Sequence, residues 1–317
     1  MITNQTTSRN LGLGGSDIAA IFGLSPYKTP LELWTEKVGH PAANQSEGIH
    51  LRFGQHVEPF VAEEFEKATG LFTQEYEYPL THPKHDFMFG HIDRFVVKDE
   101  YSPCVIDGGV VTDSLLECKT ASIYTKDQWG PTGTDQVPNA YLLQCVWYMA
   151  ITGCTTAHIA VLIGNSDFRT YRIEREQKLE SMVIEQAKRF WFDNVLEGVP
   201  PAPKNSNDAR LLFPTETPER TLQASHDLIE RLNALRKNGE EVKKLEDESD
   251  QLKTQIMQAM GDAEQLVHGS QVLATWKSTK PAQRIDTATL KKQFPDIAQL
   301  CTQISPTTRR FVLKEQQ

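Results

Sequence analysis

The chain predicts an α/β (α+β) fold carrying a helical and small β appendage at its C-terminus. Three observations lead there. Hydrophobic residues recur at helical spacing before Gly70, the period then shortens to that of strands, and the run Val199-Pro200-Pro201-Ala202-Pro203 sets a charged tail apart. At 317 residues, 39% hydrophobic and 24% charged, the chain is long enough for a packed core plus an appendage.

Gly14-Gly15-Ser16-Asp17 ahead of the apolar run Ile18 to Gly23 reads as a Ser or Asp N-cap and a short helix closed by glycine. Pro30 opens a second helix running to Gly39. A longer one, Leu51 to Thr69, has Phe53, Val57, Phe60, Val61 and Phe65 at helical spacing and stops at Gly70. Tyr76-Glu77-Tyr78, Phe87 to Val97, Cys104-Val105-Ile106 and Leu115 to Lys119 are rich in β-branched and aromatic residues and predict an antiparallel meander. Pro138 to Thr152 is an apolar helix. Ala157 to Ile163 and Phe168 to Ile173 are two more strands, and Gln177 to Leu196 is a helix. The reading divides the chain into a core over 1–200, a linker over 201–218 and a tail over 219–317. In the tail, Leu228, Leu232, Leu235, Val242, Leu245, Leu252 and Ile256 fall at spacings of three, four and seven, predicting a helical hairpin broken near Gly239 or one long helix. It suits either a partner helix or a solvated arm. Gln265 to Lys277 predicts a strand pair turning at Gly269-Ser270, and Arg310 to Lys314 a final strand.

Composition excludes some classes of function. No apolar run reaches the ~18 residues of a membrane helix, and the polar N-terminus is unlike a signal peptide, so the expected compartment is cytoplasmic. Five cysteines (Cys104, Cys118, Cys145, Cys154, Cys301) without a CxxC pair suggest reduced thiols, with no zinc ribbon or disulfide framework. The net charge of −9 disfavours carriage of nucleic acid on an overall basic surface, although charge can segregate.

The central chemical signal is Gly90-His91-Ile92-Asp93 on one strand and Leu115-Leu116-Glu117-Cys118-Lys119 on another. Residues two apart on a strand share a face, so Glu117 and Lys119 reach one site while Cys118 turns away. If Asp93 lies on a neighbouring strand, Asp93 and Glu117 can bind Mg²⁺ (Mn²⁺ a possible substitute), with the backbone carbonyl of Cys118 as a further hard ligand. Lys119 would then orient or help deprotonate a metal-polarised water. An isolated Glu-x-Lys is most often a solvated face, but Leu115 and Leu116 make this strand look buried, and buried charges demand partners. Gly54 and Glu58 lie one helical turn apart, so that a small residue permits close approach beside a carboxylate; a surface glutamate is the plainer reading. Gln144 and Tyr148 stand at i, i+4 on an apolar helix, where Gln144 fits a core hydrogen bond equally well.

This set, in this order, resembles the PD-(D/E)xK nucleases, and within them the YqaJ type of viral recombinase, the group of phage lambda exonuclease. Leu13-Gly14-Gly15-Ser16-Asp17-Ile18 through Pro30 is especially similar to that group, and the resemblance covers about residues 9 to 195. Ile92-Asp93 replaces the family's Pro-Asp. The resemblance implies a restriction-endonuclease-like core, a mixed central sheet flanked by helices. It further implies a 5′-3′ exonuclease that degrades one strand of linear double-stranded DNA, leaves a 3′ overhang for a single-strand annealing protein, and forms a ring-shaped homotrimer. By motif, Asp93 and Glu117 would be metal ligands, Lys119 the catalytic lysine, Glu58 an auxiliary acid and Gln144 a site-orienting amide. Arg9 and Ser16 would form the pocket for the terminal 5′ phosphate, with Tyr148 beside the DNA; simple capping suits Ser16 equally. Lys28, Lys37, Arg94 and Lys126 are candidates to face DNA. The alternatives are an endonuclease or resection nuclease of other polarity, and a non-catalytic DNA-binding or assembly protein. The intact Asp93, Glu117 and Lys119 count against the last.

Overall fold

The structure is a computed structural model and describes residues 11–39, 48–282, 284–303 and 307–314. The first helices begin where local chemistry starts them. Helix α1 (Gly15–Ile21) opens with the Gly14 amide donating to Asp17 Oδ2 at 3.0 Å. Helix α2 (Pro30–Lys37) opens with a reciprocal box: Thr29 N donates to Glu32 Oε2 at 2.8 Å, Glu32 N donates to Thr29 Oγ1 at 3.1 Å, and Pro30 supplies a preset φ. Helix α3 (Ile49–Thr69) stops at Gly70, whose φ of 72° a residue with a side chain resists.

The strands follow: β1 (Phe72–Gln74), β2 (Leu80–His82), β3 (His85–Gly90), β4 (Arg94–Val97), β5 (Val105–Ile106), β6 (Gly109–Val110) and β7 (Ser114–Ala121). Helix α4 (Asn139–Thr152) links β7 to β8 (Thr156–Ile163), and β9 (Asp167–Glu174) precedes α5 (Gln177–Arg189), which runs on as a π-helical segment, Phe190–Leu196. The main sheet has the order β1-β4-β7-β8-β9. Its first pairings are antiparallel as expected, but β7 and β8 run parallel because α4 carries the chain back to the starting edge. The sheet is therefore mixed, as the resemblance implies. β2 with β3 and β5 with β6 form separate ribbons, so the strands do not make one uninterrupted meander. Tyr76-Glu77-Tyr78 lies outside the strands, and Phe87 to Val97 is two strands broken at His91 to Asp93.

Helices cover both faces of the sheet. On one, α1, α4 and α5 bury Ile18, Trp147, Val183 and Ala187 against Leu115, Ile159 and Val161; on the other, Val61, Ala62 and Phe65 of α3 pack on Val96, Leu116, Cys118 and Ala160. Strand alternation thus sends Leu115 and Glu117 to the α4 side and Leu116 and Cys118 to the α3 side.

Two compact units emerge, Met1–Leu212 and Phe213–Gln317. Within the first, helix α6 (Ser206–Leu212) is anchored by buried Asp208, which accepts from Thr29 Oγ1 at 2.9 Å and from the Lys204 amide at 2.8 Å. The second contains α7 (His226–Met260), β10 (Gln265–His268), β11 (Gln271–Thr275), α8 (Thr287–Gln293) and α9 (Pro295–Leu300). Helix α7 is one helix through Gly239, and the Gly269-Ser270 turn stands as expected. Residues 310–314 are not a strand, since they pair with no neighbour among the described residues. No helix among the described residues is long and apolar enough to cross a membrane.

Candidate active site

Glu117 is 1% exposed on β7, in the layer between sheet and α4. Its Oε1 accepts from Gln144 Nε2 at 2.7 Å and from Lys119 Nζ, while Oε2 is enclosed and has no hydrogen-bond partner. Gln144 Nε2 also meets the Tyr148 hydroxyl at 3.0 Å. The Tyr148 ring is itself held between two glycines: a Cβ at Gly15 would lie 2.5 Å from Tyr148 Cε1, and one at Gly90 2.7 Å from the same atom. Those glycines serve close approach, and through Tyr148 and Gln144 they set where Glu117 sits. Lys119 Nζ lies 5.2 Å from the centroid of the Tyr141 ring, which stacks on Trp129.

Asp93 arrives at the end of the β4–β7 ladder. The β4–β7 ladder ends at Arg94 and Leu116, leaving the β7 edge beyond it unpaired on that side. The Cys118 amide donates instead to Asp93 Oδ2 at 2.8 Å. In a strand the N–H and C=O of one residue point to the same edge, so the Cys118 carbonyl is directed to the side where Asp93 stands. Asp93 therefore lies just before β4, in the break between strands, rather than on a continuous one. Glu58 of α3 completes the acidic group and is held by Arg94, whose Nη1 donates to Glu58 Oε1 at 3.0 Å and to the Asp93 carbonyl.

These groups line one cleft of about 750 Å³, together with Ser16. Electrostatics there are strained. Burial, and then the Asp93 charge, push the Glu117 carboxyl up to about 8. Burial also raises Asp93 and Glu58 above their ordinary values, against the pull of Lys119 on the first and of Arg94 on the second. Burial works against the Lys119 ammonium, but Glu117 and Asp93 outweigh it and hold its pKa above the usual range. The site carries more carboxylate than its resident cations balance, so Asp93, Glu117 and the Cys118 carbonyl are the groups that could hold a further cation.

A family model described as the YqaJ-like viral recombinase domain matches residues 6–155. The uncharacterized protein YqaJ of Bacillus subtilis (strain 168) is 33% identical over 315 residues, spanning 97% of this chain and 92% of that one. The chain belongs to the YqaJ family. Among solved structures, an alkaline exonuclease (LHK-Exo) from Laribacter hongkongensis superposes on this YqaJ-family chain with a TM-score of 0.46 and 16% identity, covering 62% of this chain and 94% of that one. A phage-related exonuclease from Haemophilus somnus 129PT gives a TM-score of 0.43 and 14% identity, covering 61% and 99%.

Asp93, Glu117, Lys119, Glu58 and Gln144 are brought together, with Ser16 on the same cleft. Asp17 rather than Ser16 makes the cap of α1. Arg9 lies outside the described residues. Tyr148, 6% exposed, lines the cleft and has its hydroxyl engaged by Gln144. Two of the cations expected to face DNA are buried: Lys37 against Asp17 at 2.7 Å, and Arg94, at the cleft, between Glu58 and the Asp93 carbonyl. Lys28 pairs with Glu36, and Lys126 with Asp167 at 2.8 Å. Gly54 needs no small side chain for packing within the chain, since a Cβ there meets only Thr120 Oγ1 at 3.8 Å. Sequence reasoning passed over Arg94 as the clamp on Glu58; its place next to Asp93 in the motif was the available signal.

Proposed function

We propose that the chain is a divalent-metal-dependent nuclease hydrolysing the phosphodiester backbone of DNA at Asp93, Glu117 and Lys119. The observation that carries this reading is Glu117 Oε2, an enclosed carboxylate oxygen with no hydrogen bond, on a residue that lines the cleft together with Asp93 and Lys119. Among the described residues no three His, Cys, Asp or Glu side chains gather into a ready metal cage. The protein part of the site is then two carboxylates and the Cys118 carbonyl. That sparse, all-oxygen set suits Mg²⁺, which keeps several of its waters, with Mn²⁺ able to replace it.

When bound, the ion would supply a Lewis acid and a water of lowered pKa. The chain's own groups do the rest. Gln144 fixes one oxygen of Glu117 and leaves the other free, and the Cys118 amide does the same for Asp93. Lys119 keeps an ammonium at the cleft, placed to orient the attacking water and to balance charge as the phosphate becomes more negative. Arg94 keeps Glu58 at the rim, where it can accept a hydrogen bond from that water.

The finer reading is a 5′-3′ exonuclease on linear double-stranded DNA that leaves a 3′ overhang for a single-strand annealing protein, acting as a ring-shaped homotrimer in the cytoplasm. It is supported by family membership and by Ser16, which is not used in capping and lines the same cleft. Digestion in Mg²⁺ of linear duplexes with and without a 5′ phosphate tests it. Preference for the phosphorylated end is expected; equal cutting of closed circles would replace it with an endonuclease, and no cutting of any substrate would remove the nuclease reading.

A further inference from the structure

The cleft poses a problem for any DNA-acting reading. Glu75, Glu77 and Asp86 line it alongside the site carboxylates, while Arg94 and Lys119 are already engaged. The cations that hold nucleic acid must be sought elsewhere. Charge segregates sharply in this chain: from Trp276 to Lys314 there are eight Lys and Arg against two Asp, a surplus of six, so the remainder of a chain of net −9 carries −15. One of the two acids, Asp286, caps α8 through the Ala288 and Thr289 amides at 3.0 and 3.1 Å.

All eight cations are exposed. Among the described residues only Lys277 sits in an ion pair, with Glu264. Aromatic side chains alternate with them. Trp276 precedes Lys277, Phe294 follows Lys291 and Lys292, and Phe311 follows Arg310, with exposures of 45%, 52% and 72%. The segment's end is tied to α7, where Arg236 Nη2 donates to the Lys314 carbonyl at 3.2 Å. Cations that track a backbone, interleaved with exposed rings on which bases can stack, are the recognition chemistry of single strands; in a duplex the faces of the bases are already stacked on one another.

We infer that the segment from Trp276 to Lys314 binds single-stranded DNA, its exposed aromatics stacking on bases and its unpaired Lys and Arg following the phosphates. The inference rests on the reading of the chain as a DNA-acting enzyme, and it gives the strand that digestion leaves behind a place on the protein.

Binding is measured on the full chain carrying Lys119→Ala, without metal, using a labelled oligothymidylate and a duplex of equal length. The variant Lys280→Gln, Arg284→Gln, Lys292→Gln, Arg310→Gln changes exposed groups that make no ion pair, and its circular dichroism and melting should match the parent. Its affinity for the oligothymidylate is expected to fall at least tenfold, with a salt dependence shallower by roughly 0.7 for each phosphate no longer neutralised. Trp276→Leu with Phe311→Leu should weaken the same binding by about tenfold or more while leaving the salt slope unchanged. Unchanged single-strand affinity in both variants overturns the inference, as does an equal loss on the duplex, which would mean a general phosphate surface. Cutting of linear duplex in Mg²⁺ by the chain with Lys119 intact is read separately, so failure of the nuclease reading is distinguished from failure of this one.

Discussion

Replacing Glu117 by Gln should flatten the pH dependence of stability in the metal-free protein. Glu117 is 1% exposed and its carboxyl is raised from near 4.5 to about 8. Between those values the native state holds a proton that the unfolded chain has released, so stability falls as pH rises through this window and levels off above about 8. At 1.36 kcal/mol for each tenfold step, the gap corresponds to at most about 5 kcal/mol. Asp93 and Glu58, also raised, add in the same direction. Urea unfolding in EDTA at pH 5, 6.5 and 8 measures it. The comparison is one of slopes, since Glu117→Gln also weakens the interaction with Lys119. Wild type should lose several kcal/mol across the series, and the variant should keep most of its pH 5 stability. Mg²⁺ should restore wild type at pH 8 and release close to one proton on binding at pH 7, which calorimetry in buffers of different ionisation heat reads. Parallel slopes in the two proteins would show that Glu117 is not the strained group, and the case for a missing cation would go with it.

Lys119→Ala should abolish Mg²⁺-dependent cutting while leaving binding of duplex ends largely intact; persistent cutting would discredit the centre. Gln144→Leu removes the amide that fixes Glu117 and should weaken Mg²⁺ affinity by roughly 10- to 100-fold, measured by titrating activity against metal, with partial recovery in Gln144→Asn. Gly90→Ala forces a Cβ to 2.7 Å from the Tyr148 ring and should destabilise by about 1–3 kcal/mol, whereas Gly54→Ala has room and should be neutral or stabilising by up to about 1 kcal/mol. Thermal melts in which Gly54→Ala proved the more damaging of the two would contradict this account of the packing.

Much of the molecule was legible along the chain because its causes are local. The pair Glu117 and Lys119 on one face follows from the two-residue period of a strand, and the start of α2 and the end of α3 follow from Pro30 and from Gly70. The parallel step from β7 to β8 was not legible, because hydrophobic period reports burial and says nothing of strand direction. The fate of the cations was hidden for a similar reason: Lys37 and Arg94 read as surface residues until the fold sets Asp17 and Glu58 against them.

The sequence by itself determined which groups carry the chemistry, how they are spaced within each element, and which stretch of the chain holds the positive charge. Only the tertiary structure decided that the β4–β7 ladder ends at Arg94 and Leu116, leaving an edge of β7 open for Asp93, and that α4 lays Gln144 on one oxygen of Glu117 and leaves the other bare. Spacing along an element is a matter of bond geometry within a few residues. Convergence of residues 58, 93, 117 and 144 depends on how sheet and helices pack over the whole unit, and that packing also sets the burial from which the site's electrostatics arise.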